Sequence, residues 1–494
     1  MSKASTHENS RAVAAALALS AVLALLFAIP LARADEAPIA GPVAAVVDAL
    51  VSEALHANLE LETAGTTVSE RLAALDAARA RYLPALDFTA RYSAADGGRT
   101  IEFPVGDLLN PVYSTLNQLT SSNRFPQVAN QQINFLRSRE QDTKLTLTQP
   151  LYDARLGAAR AAASAEYDAA AAGHGALAAR IERDMRTAYY KWLEARAQLG
   201  ILGATLELAR ENERVNDSLY RNGKITRDLV YRAEADVLEV EQSLLAAENG
   251  ARLAQSYTNL LRNAQFELPL PAARVDDEDL RQLKQALARR LGEMPFALGS
   301  LEAVAVERRA ELKQLDAESA AARAGERLAR AAFKPQLALA VDAGTQGSGY
   351  GFGSDDRYVL ASLVLKFNLF SGGADDAGLR GAHERRRAAE LGRGIAEQNI
   401  RLEVQQTLQN LEVAEASLGT AAKRVDAAAG AFRIAERKRD LGQINQAEFV
   451  DARRALTDSQ LNLNLTRFAA LGSLAELEYA LGAGRRAQTP DALP

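Results

Sequence analysis

Two halves of the chain repeat one order of patterns: strand-like segments, a long heptad repeat, a glycine and a second heptad repeat. Before the second glycine, large apolar residues recur every seven positions and a small residue follows each by three: Val404, Leu411, Leu418, Val425 and Phe432, with Thr407, Ala414, Ala421, Ala428 and Ala435. The first half has Met185, Trp192, Leu199 and Leu206 at positions 219 residues earlier. A strict heptad with one bulky and one small position predicts closely packed, left-handed coiled coils.

Gly223 and Gly442 separate the heptad repeats within the two halves. Residues 154–221 contain no proline, so they predict one uninterrupted helix that is roughly 100 Å long at the α-helical rise. After each glycine the seven-residue spacing returns, at Val230, Val237, Leu244 and Ala251 and at Phe449, Leu456, Leu463, Ala470 and Leu477. Because glycine adopts positive φ at little cost, each half predicts an antiparallel helical hairpin that turns at its glycine.

Each long helix follows a pair of strand-like segments, residues 86–92 and 144–148 in the first half and residues 337–341 and 358–370 in the second. Pro150 and Asn368 end matching apolar strands, Leu145 to Tyr152 and Leu363 to Phe370, and lie 218 residues apart. The loop of the first pair, residues 93–141, is the longer one. Outer-membrane barrels have short turns at one end and long loops at the other, so we expect this loop to face outside the cell.

The four strands of one chain constrain its assembly. Single-layer barrels have at least about eight strands. Four strands alone would leave edge amides without partners in lipid, at a cost of several kcal/mol each, so we expect copies of the chain to pool their strands. Eight strands enclose little more than their own side chains, and a conduit therefore favours three copies, which together supply twelve strands.

The amino-terminal residues predict export. Lys3 and Arg11 supply a basic region, an apolar run covers residues 13–29, and Ala32-Arg33-Ala34 fits a small-x-small cleavage site after Ala34. The mature chain then begins at Asp35. The apolar run is short for a membrane span, and a retained anchor is the alternative. The absence of cysteine excludes disulfides, a thiolate metal site and a lipid-bearing N-terminal cysteine.

Charge and the distribution of reactive side chains argue against other classes of protein. A formal net charge of −5 is unfavourable for binding nucleic acid. His56, His174 and His383 are scattered and lack the spacing of metal ligands. No pattern places a nucleophile beside a base. We therefore expect no enzymatic activity, no cofactor and no bound metal.

Residues 40–482 resemble the outer-membrane efflux protein family, the TolC-like channels. The resemblance depends on the duplicated order of elements and on local motifs. Residues 147–153 and 367–373 resemble the strand-to-helix transitions of the family, and residues 220–229 and 441–452 resemble its helix turns. It implies a mainly α fold with a membrane β-barrel portion: a homotrimer whose twelve-stranded barrel lies in outer-membrane lipid and continues into a periplasmic α-barrel.

The resemblance also implies partners and a function. Members of the family dock onto a periplasmic adaptor, or membrane fusion protein, and an inner-membrane transporter. The implied function is export through the outer membrane of a Gram-negative bacterium, with a large periplasmic part and with drugs, metals or small molecules as cargo. Type I protein secretion is the alternative within the family. A periplasmic coiled-coil adaptor or structural envelope protein is the alternative from another class, and the duplicated strands argue against it.

In relatives the helix turns form the closed periplasmic end and meet the adaptor, so the resemblance makes Gly223, Lys224, Gly442 and Gln443 candidates for adaptor contact. A frequent family pattern places acids six and nine positions after the second glycine, which here are Glu448 and Asp451. Three copies would form a ring of carboxylates in the pore. The alternative is a solvated acidic face paired with Arg453 or Arg454.

The first turn departs from this pattern. Asp228 lies five positions after Gly223, and Leu229 occupies the expected acidic position, so Asp228 is the less supported gate candidate. Three consecutive basic residues precede the second glycine: Arg437, Lys438 and Arg439. They either hold a gate shut by salt bridges or solvate the helix end, and we favour solvation because exposed ion pairs contribute little.

These predictions give an organisation in nine parts. In chain order they are a signal peptide at 1–34, a helical lead-in at 35–83, a first membrane hairpin at 84–152, a first periplasmic helical hairpin at 153–266, an equatorial linker at 267–300, a helix at 301–334, a second membrane hairpin at 335–370, a second periplasmic helical hairpin at 371–482 and a flexible tail at 483–494.

Overall fold

The computed structural model of the chain describes residues 39–349, 351 and 353–484. The predicted signal peptide, its cleavage site between Ala34 and Asp35, and all but the first two residues of the predicted tail lie outside this part of the chain. Over the described residues, no helix combines the length and the apolar character needed to cross a membrane.

Helices account for most of the described chain. They are α1 (Val43–Ala57), α2 (Leu59–Ala80), α3 (Val105–Leu119), α4 (Ala154–Arg221), α5 (Arg227–Leu261), α6 (Asp277–Arg290), α7 (Leu298–Arg308), α8 (Ala310–Arg330), α9 (Ala374–Asp440) and α10 (Gln446–Ala480). The strands are β1 (Ile39–Pro42), β2 (Ala85–Ala94), β3 (Thr100–Phe103), β4 (Gln131–Asn134), β5 (Arg139–Asp153), β6 (Ala272–Arg274), β7 (Gln336–Gly347) and β8 (Arg357–Lys366). The prediction of one uninterrupted helix over residues 154–221 is confirmed by α4.

The described residues divide into two compact units. The first contains residues 39–50, 188–260 and 264–283, and the second contains residues 51–187, 261–263 and 284–484. In the first unit β1 pairs with β6 in parallel, and α4 packs on α5 through a small apolar cluster: Leu206, Ala209, Val237, Val240 and Leu244. Arg210 also donates to Glu241 at 2.9 Å across this helix pair. The predicted heptad contact between the two arms of the first hairpin is therefore present.

In the second unit α9 is the long helix against which both α8 and α10 pack. Salt bridges join α8 to the first half of α9, where Arg323 Nε lies 3.4 Å from Glu390 Oε1 and Arg393 Nε lies 3.1 Å from Asp316 Oδ1. Along the second half, predicted heptad residues are buried on both α9 and α10: Val404, Leu411, Leu418, Phe432, Phe449, Ala470 and Leu477. The heptad prediction is confirmed for this hairpin.

Arg309 joins the start of α8 to the end of α10. Its guanidinium donates to both carboxylate oxygens of Glu311, at 2.9 and 3.0 Å, and to Glu403 at 2.9 Å. It also donates to the carbonyl of Ala480, at 3.3 Å, and lies 4.4 Å from the ring centroid of Tyr479. A buried cation thus satisfies carbonyls that the end of a helix otherwise leaves without partners.

Four strands form one antiparallel sheet in the order β2-β5-β7-β8. The register is continuous between β2 and β5, from Ala85 opposite Thr148 to Ala94 opposite Arg139. The edges of the sheet are β2 and β8. Side chains alternate between two faces, as the pleat requires. One face is apolar and exposed, with Leu86, Phe88, Tyr92, Leu145, Leu147, Val359, Leu363 and Leu365.

The composition of residues 93–141 predicts a plain loop, and the structure differs. The segment contains α3 between the paired strands β3 and β4. Asn110 donates to the carbonyl of Val128 at 2.9 Å and accepts from its N–H at 2.8 Å. Asn117 makes the same pair of bonds with Phe125, at 2.7 and 3.1 Å. The two asparagine side chains thus form backbone hydrogen bonds of the kind that a neighbouring strand would provide. They hold the backbone of Phe125 and Val128 against α3.

Two predicted elements have different bounds in the structure. The strand predicted to end at Phe370 ends at Lys366, because its partner begins at Gln336 after a proline and leaves nothing for later residues to pair with. The predicted helical lead-in begins with β1 and is interrupted at Asn58. The side chain of Asn58 accepts from the N–H groups of Glu60 and Leu61, and so caps a new helix.

Candidate functional site at the helix turns and the sheet

The first helix turn closes at Gly223, in the first unit. Gly223 has a φ of +63° and donates its N–H to the carbonyl of Tyr220 at 2.9 Å. The N–H of Lys224 donates to the carbonyl of Leu219, also at 2.9 Å. These two bonds form a Schellman motif, which needs positive φ at the residue that glycine occupies here. The predicted turn at Gly223 is confirmed.

The second turn has the same geometry, in the second unit. Gly442 has a φ of +66° and donates to the carbonyl of Arg439 at 2.9 Å, and Gln443 donates to that of Lys438 at 2.8 Å. Asn445 then starts α10, since its Oδ1 accepts from the N–H of Glu448 at 2.9 Å. Its Nδ2 donates to the Glu448 carboxylate at 3.0 Å. This reciprocal pair resembles a capping box.

Arg439 packs at the second turn. Its guanidinium lies 4.4 Å from the ring centroid of Phe449 and donates to Asp440 at 2.8 Å. Phe449 is buried, and its ring lies 5.7 Å from that of Phe432 on the opposite helix. The side chain of Arg439 therefore covers an aromatic pair that joins α9 to α10. This contact of Arg439 differs from both interpretations of the basic run, a gate salt bridge and a solvated helix end, whereas Arg437 and Lys438 are exposed as the second interpretation expects.

The candidate carboxylates are exposed. Glu448 and Asp451 lie one turn apart at the start of α10, and both face solvent. Asp228 is exposed in the first turn of α5 and belongs to the other unit. Arg453, one of the two residues considered as partners for the acidic face, is buried. The structure thus places Glu448 and Asp451 together, and Glu448 already has a local partner in Asn445.

The sheet carries charged side chains on the face opposite its apolar one. Asp342 accepts from Thr146 Oγ1 at 2.5 Å and from Lys144 Nζ at 3.4 Å. Asp142 lies 3.8 Å from Arg91 and accepts from the hydroxyl of Tyr358 at 3.4 Å. These residues come from all four strands.

Gly344 allows one of these contacts. It lies opposite both Lys144 and Tyr358 in the register, so Tyr358 reaches across it to Asp142. A Cβ at Gly344 would approach the carbonyl of Thr143 to 2.4 Å. Any side chain at this position would therefore displace the strand or the polar network above it.

A second charged cluster lies among the helices of the second unit. Glu182 pairs with Arg186 at 2.9 Å, and Arg290 pairs with Glu478 at 2.5 Å and donates to the carbonyl of Ala483 at 3.1 Å. The cluster borders a cavity of about 1,080 Å³. Burial raises the pKa of Glu478 even though two arginines lie beside it. Arg186 also lies 3.8 Å from Glu478, so Arg186 and Arg290 attach the end of α10 to α4 and to the last residue of α6.

Sequence reasoning missed both charged networks. Alternation along residues 142–146 does place polar residues on one face, and this signal was available in the sequence. The partners Asp342 and Tyr358 lie about 200 residues away, and pairing them requires the register of the sheet. The cluster around Glu478 has no such signal, because its members come from separate helices.

Comparisons with known proteins agree with this architecture. A family model described as Outer membrane efflux protein matches residues 50–262 and 303–483. The chain is 27% identical over 311 residues to the probable efflux pump outer membrane protein TtgC of Pseudomonas putida, covering 62% of this chain and 61% of that protein. The matched part therefore spans less than two thirds of that relative.

Solved structures share the fold at low sequence identity. The Campylobacter jejuni outer membrane channel CmeC has a TM-score of 0.73 at 14% identity and covers 92% of both chains. The outer membrane protein VceC of Vibrio cholerae has a TM-score of 0.71 at 19% identity and covers 89% of this chain and 96% of that one. The TolC-like fold expected from the sequence is thus confirmed. Since the family model matches both halves of the duplication and the fold agrees with it, the chain belongs to the outer membrane efflux protein family.

Proposed function

We propose that the chain is the outer-membrane channel of a tripartite export system. It gives passive passage from a periplasmic adaptor and an inner-membrane pump to the outside of the cell. The observation that carries this proposal is the four-stranded sheet, which has one exposed apolar face, one charged face and two free edge strands. A sheet of this kind matches the wall of a membrane barrel, with lipid on one side and water on the other.

Assembly as a homotrimer completes the sheet. In the barrel of the proposed trimer, β2 of one copy pairs with β8 of the next, and all neighbouring strands remain antiparallel. This closure removes the free edges, whose unpaired amides would cost several kcal/mol each in lipid. Three copies of the four-stranded sheet supply twelve strands.

The helix turns are the proposed contact with the adaptor. The two Schellman turns present Gly223 with Lys224 and Gly442 with Gln443 at the ends of the long hairpins, and all four residues are exposed. Small, exposed turns of fixed geometry suit docking of another helical hairpin. The same ends carry Glu448 and Asp451, which we propose as a carboxylate ring that favours cations at the periplasmic mouth.

The proposed cargo is small molecules. The Pseudomonas putida relative bears the name of an efflux pump component, which favours drug, metal or small-molecule efflux over type I protein secretion. The duplicated strands argue against the alternative of a periplasmic adaptor, because an adaptor has no use for a sheet with a lipid-facing side.

Purification in mild detergent, followed by measurement in planar bilayers, tests the proposal. We expect a particle with three times the mass of the mature chain that conducts ions in steps of uniform size. A monomer that conducts, or a trimer that never conducts, contradicts the proposed function.

A further inference from the structure

The charged face of the sheet has a property that the tip carboxylates lack: its acids and bases are paired at fixed positions. Asp142 is paired with Arg91, and Asp342 with Lys144, at the distances given above. The side chains of Asp142 and Asp342 are each 20% exposed, so they are held by neighbours yet remain open to water. We call these four residues, with Tyr358, the charged band.

The placement of the charged band follows from the opposite face of the sheet. Leucine, phenylalanine and valine side chains on that face are exposed in a single chain and suit lipid. In a closed barrel the remaining face lines the interior. This step depends on the proposed function, since it requires a barrel assembled in a membrane.

The charges of the band balance one another. Two acids and two bases give the band no net charge in each copy. Four further charged residues share this face of the sheet in the register, namely Asp87, Glu140, Asp153 and Lys366, and leave a net charge of −2. A lining in which opposite charges alternate around the barrel creates little net field for an ion crossing it.

From this balance we infer that the charged band sets the ion preference of the barrel, keeping it close to neutral with a weak preference for cations. Each carboxylate offsets an adjacent base, so cationic and anionic cargo meet similar electrostatic barriers. Neutralising one member unbalances the lining by one charge per copy and by three in the trimer. The effect reaches about 10 Å into the lumen at 0.1 M salt.

Two substitutions that change the charge of the band in opposite directions test whether the ion preference follows that charge. Asp342→Asn makes the band more positive and Lys144→Gln makes it more negative, while the double variant restores the original net charge. In bilayers under a gradient of KCl, we expect the two single variants to shift the permeability ratio of K⁺ over Cl⁻ about twofold in opposite directions. The double variant should return towards wild type, and all shifts should fade at 1 M KCl, where the screening length is about 3 Å.

Two further variants separate ion preference from a purely structural role. Asp342→Glu keeps the charge and alters the contact with Thr146, so its selectivity should match wild type. Asp355→Asn removes an exposed carboxylate from the turn between β7 and β8 and serves as the control. Block of the ion current by hexaamminecobalt(III), added on the side of the long loop, is a second measurement. From that side the blocking ion reaches the barrel without passing the helix turns, and Lys144→Gln should strengthen the block.

Unchanged selectivity and block in both single variants of a conducting trimer would overturn the inference and leave the proposed function intact. Shifts of the same sign in both variants would overturn it as well, since they would indicate a change of structure and not of charge. Failure of the wild-type protein to conduct contradicts the proposed function itself, so the two failures are distinguishable.

Discussion

The guanidinium of Arg439 lies 4.4 Å from the ring centroid of Phe449, and the two residues stand on opposite sides of the second helix turn. Removing the guanidinium by Arg439→Ala should weaken the turn by about 1 kcal/mol. Hydrogen exchange of the amides around Gly442 should therefore accelerate severalfold. Arg437→Ala changes an exposed arginine two residues earlier and should leave exchange unchanged. Equal acceleration in both variants would show that the contact with Phe449 is not what orders the turn.

Glycine at the turn and glycine within the helix should respond to alanine in opposite ways. Gly442→Ala forces a Cβ into positive φ and should destabilise the hairpin by about 1–2 kcal/mol. Gly419→Ala lies within α9, with open space around its Cβ position, and should stabilise it by about 0.5–1 kcal/mol. Thermal unfolding of the detergent-solubilised protein measures both. A loss of stability in Gly419→Ala would contradict this account of the helix.

The order of helices and turns in this fold could be predicted from the sequence, because the patterns that indicate them are local and occur twice. Heptad spacing gave the coiled coils, and Gly223 and Gly442 gave their turns. The end of β8 could not be predicted, because it depends on where its partner β7 begins, and β7 begins directly after Pro335. The helix within residues 93–141 was missed for a similar reason: Asn110 and Asn117 act on residues that composition alone marks as loop.

The carboxylate of Glu311 should make stability depend on pH. Burial raises its pKa, but hydrogen bonds from Arg309 and Tyr479 outweigh burial and hold the pKa below its ordinary value of 4.5. A group with a lowered folded pKa stabilises the protein fully above 4.5 and loses this contribution as the pH falls through the folded value. Glu311→Gln should therefore cost about 2 kcal/mol near neutral pH, and the difference from wild type should shrink as the pH falls below 4.5.

The measurement is thermal unfolding of both proteins across this pH range. Glu318→Gln, an exposed change on the same helix, is the matched control and should follow wild type throughout. Comparison between variants cancels the contribution of Glu478, whose raised pKa acts with the opposite sign. A difference for Glu311→Gln that stays constant with pH would show that the ionised carboxylate is not the source of stability.

The tip carboxylates make a separate prediction. Replacing Glu448 and Asp451 with glutamine and asparagine should weaken cation selectivity and block by multivalent cations added on the periplasmic side, if three copies of each line the mouth. Stability should change by less than about 0.5 kcal/mol, because both side chains are exposed and glutamine retains the bond from Asn445. Wild-type selectivity in this double variant would favour the alternative of a solvated acidic face.

Topology is testable in intact cells. An epitope inserted between Ser122 and Asn123 lies beyond the end of α3, in the loop that the bonds between Asn117 and Phe125 close, and should disturb neither the helix nor the sheet. Antibody should reach it without breaching the outer membrane. An epitope at Gly223 should stay protected until the membrane is opened. The reverse pattern would mean that the long loop faces the periplasm.

The candidate site was less predictable than the fold. Glu448 and Asp451 were proposed because the family resemblance implies acids at this spacing after Gly442, and their role as a carboxylate ring stays a prediction. The contact between Arg439 and Phe449 spans a turn, and its geometry depends on which way the helix end faces. The pairing of Lys144 with Asp342 depends on strand register over 198 residues, which no short motif encodes.

The bond between Arg309 and Ala480 spans 171 residues, and it has a consequence for biogenesis. The helix α9 packs against α8, made before it, and against α10, made after it. A chain exported from its amino terminus therefore carries the apolar seam of α9 through the periplasm uncovered until its last helix arrives. Such non-local pairing slows folding and exposes the intermediate to aggregation. We expect this protein to depend on periplasmic chaperones for as long as α10 has yet to dock.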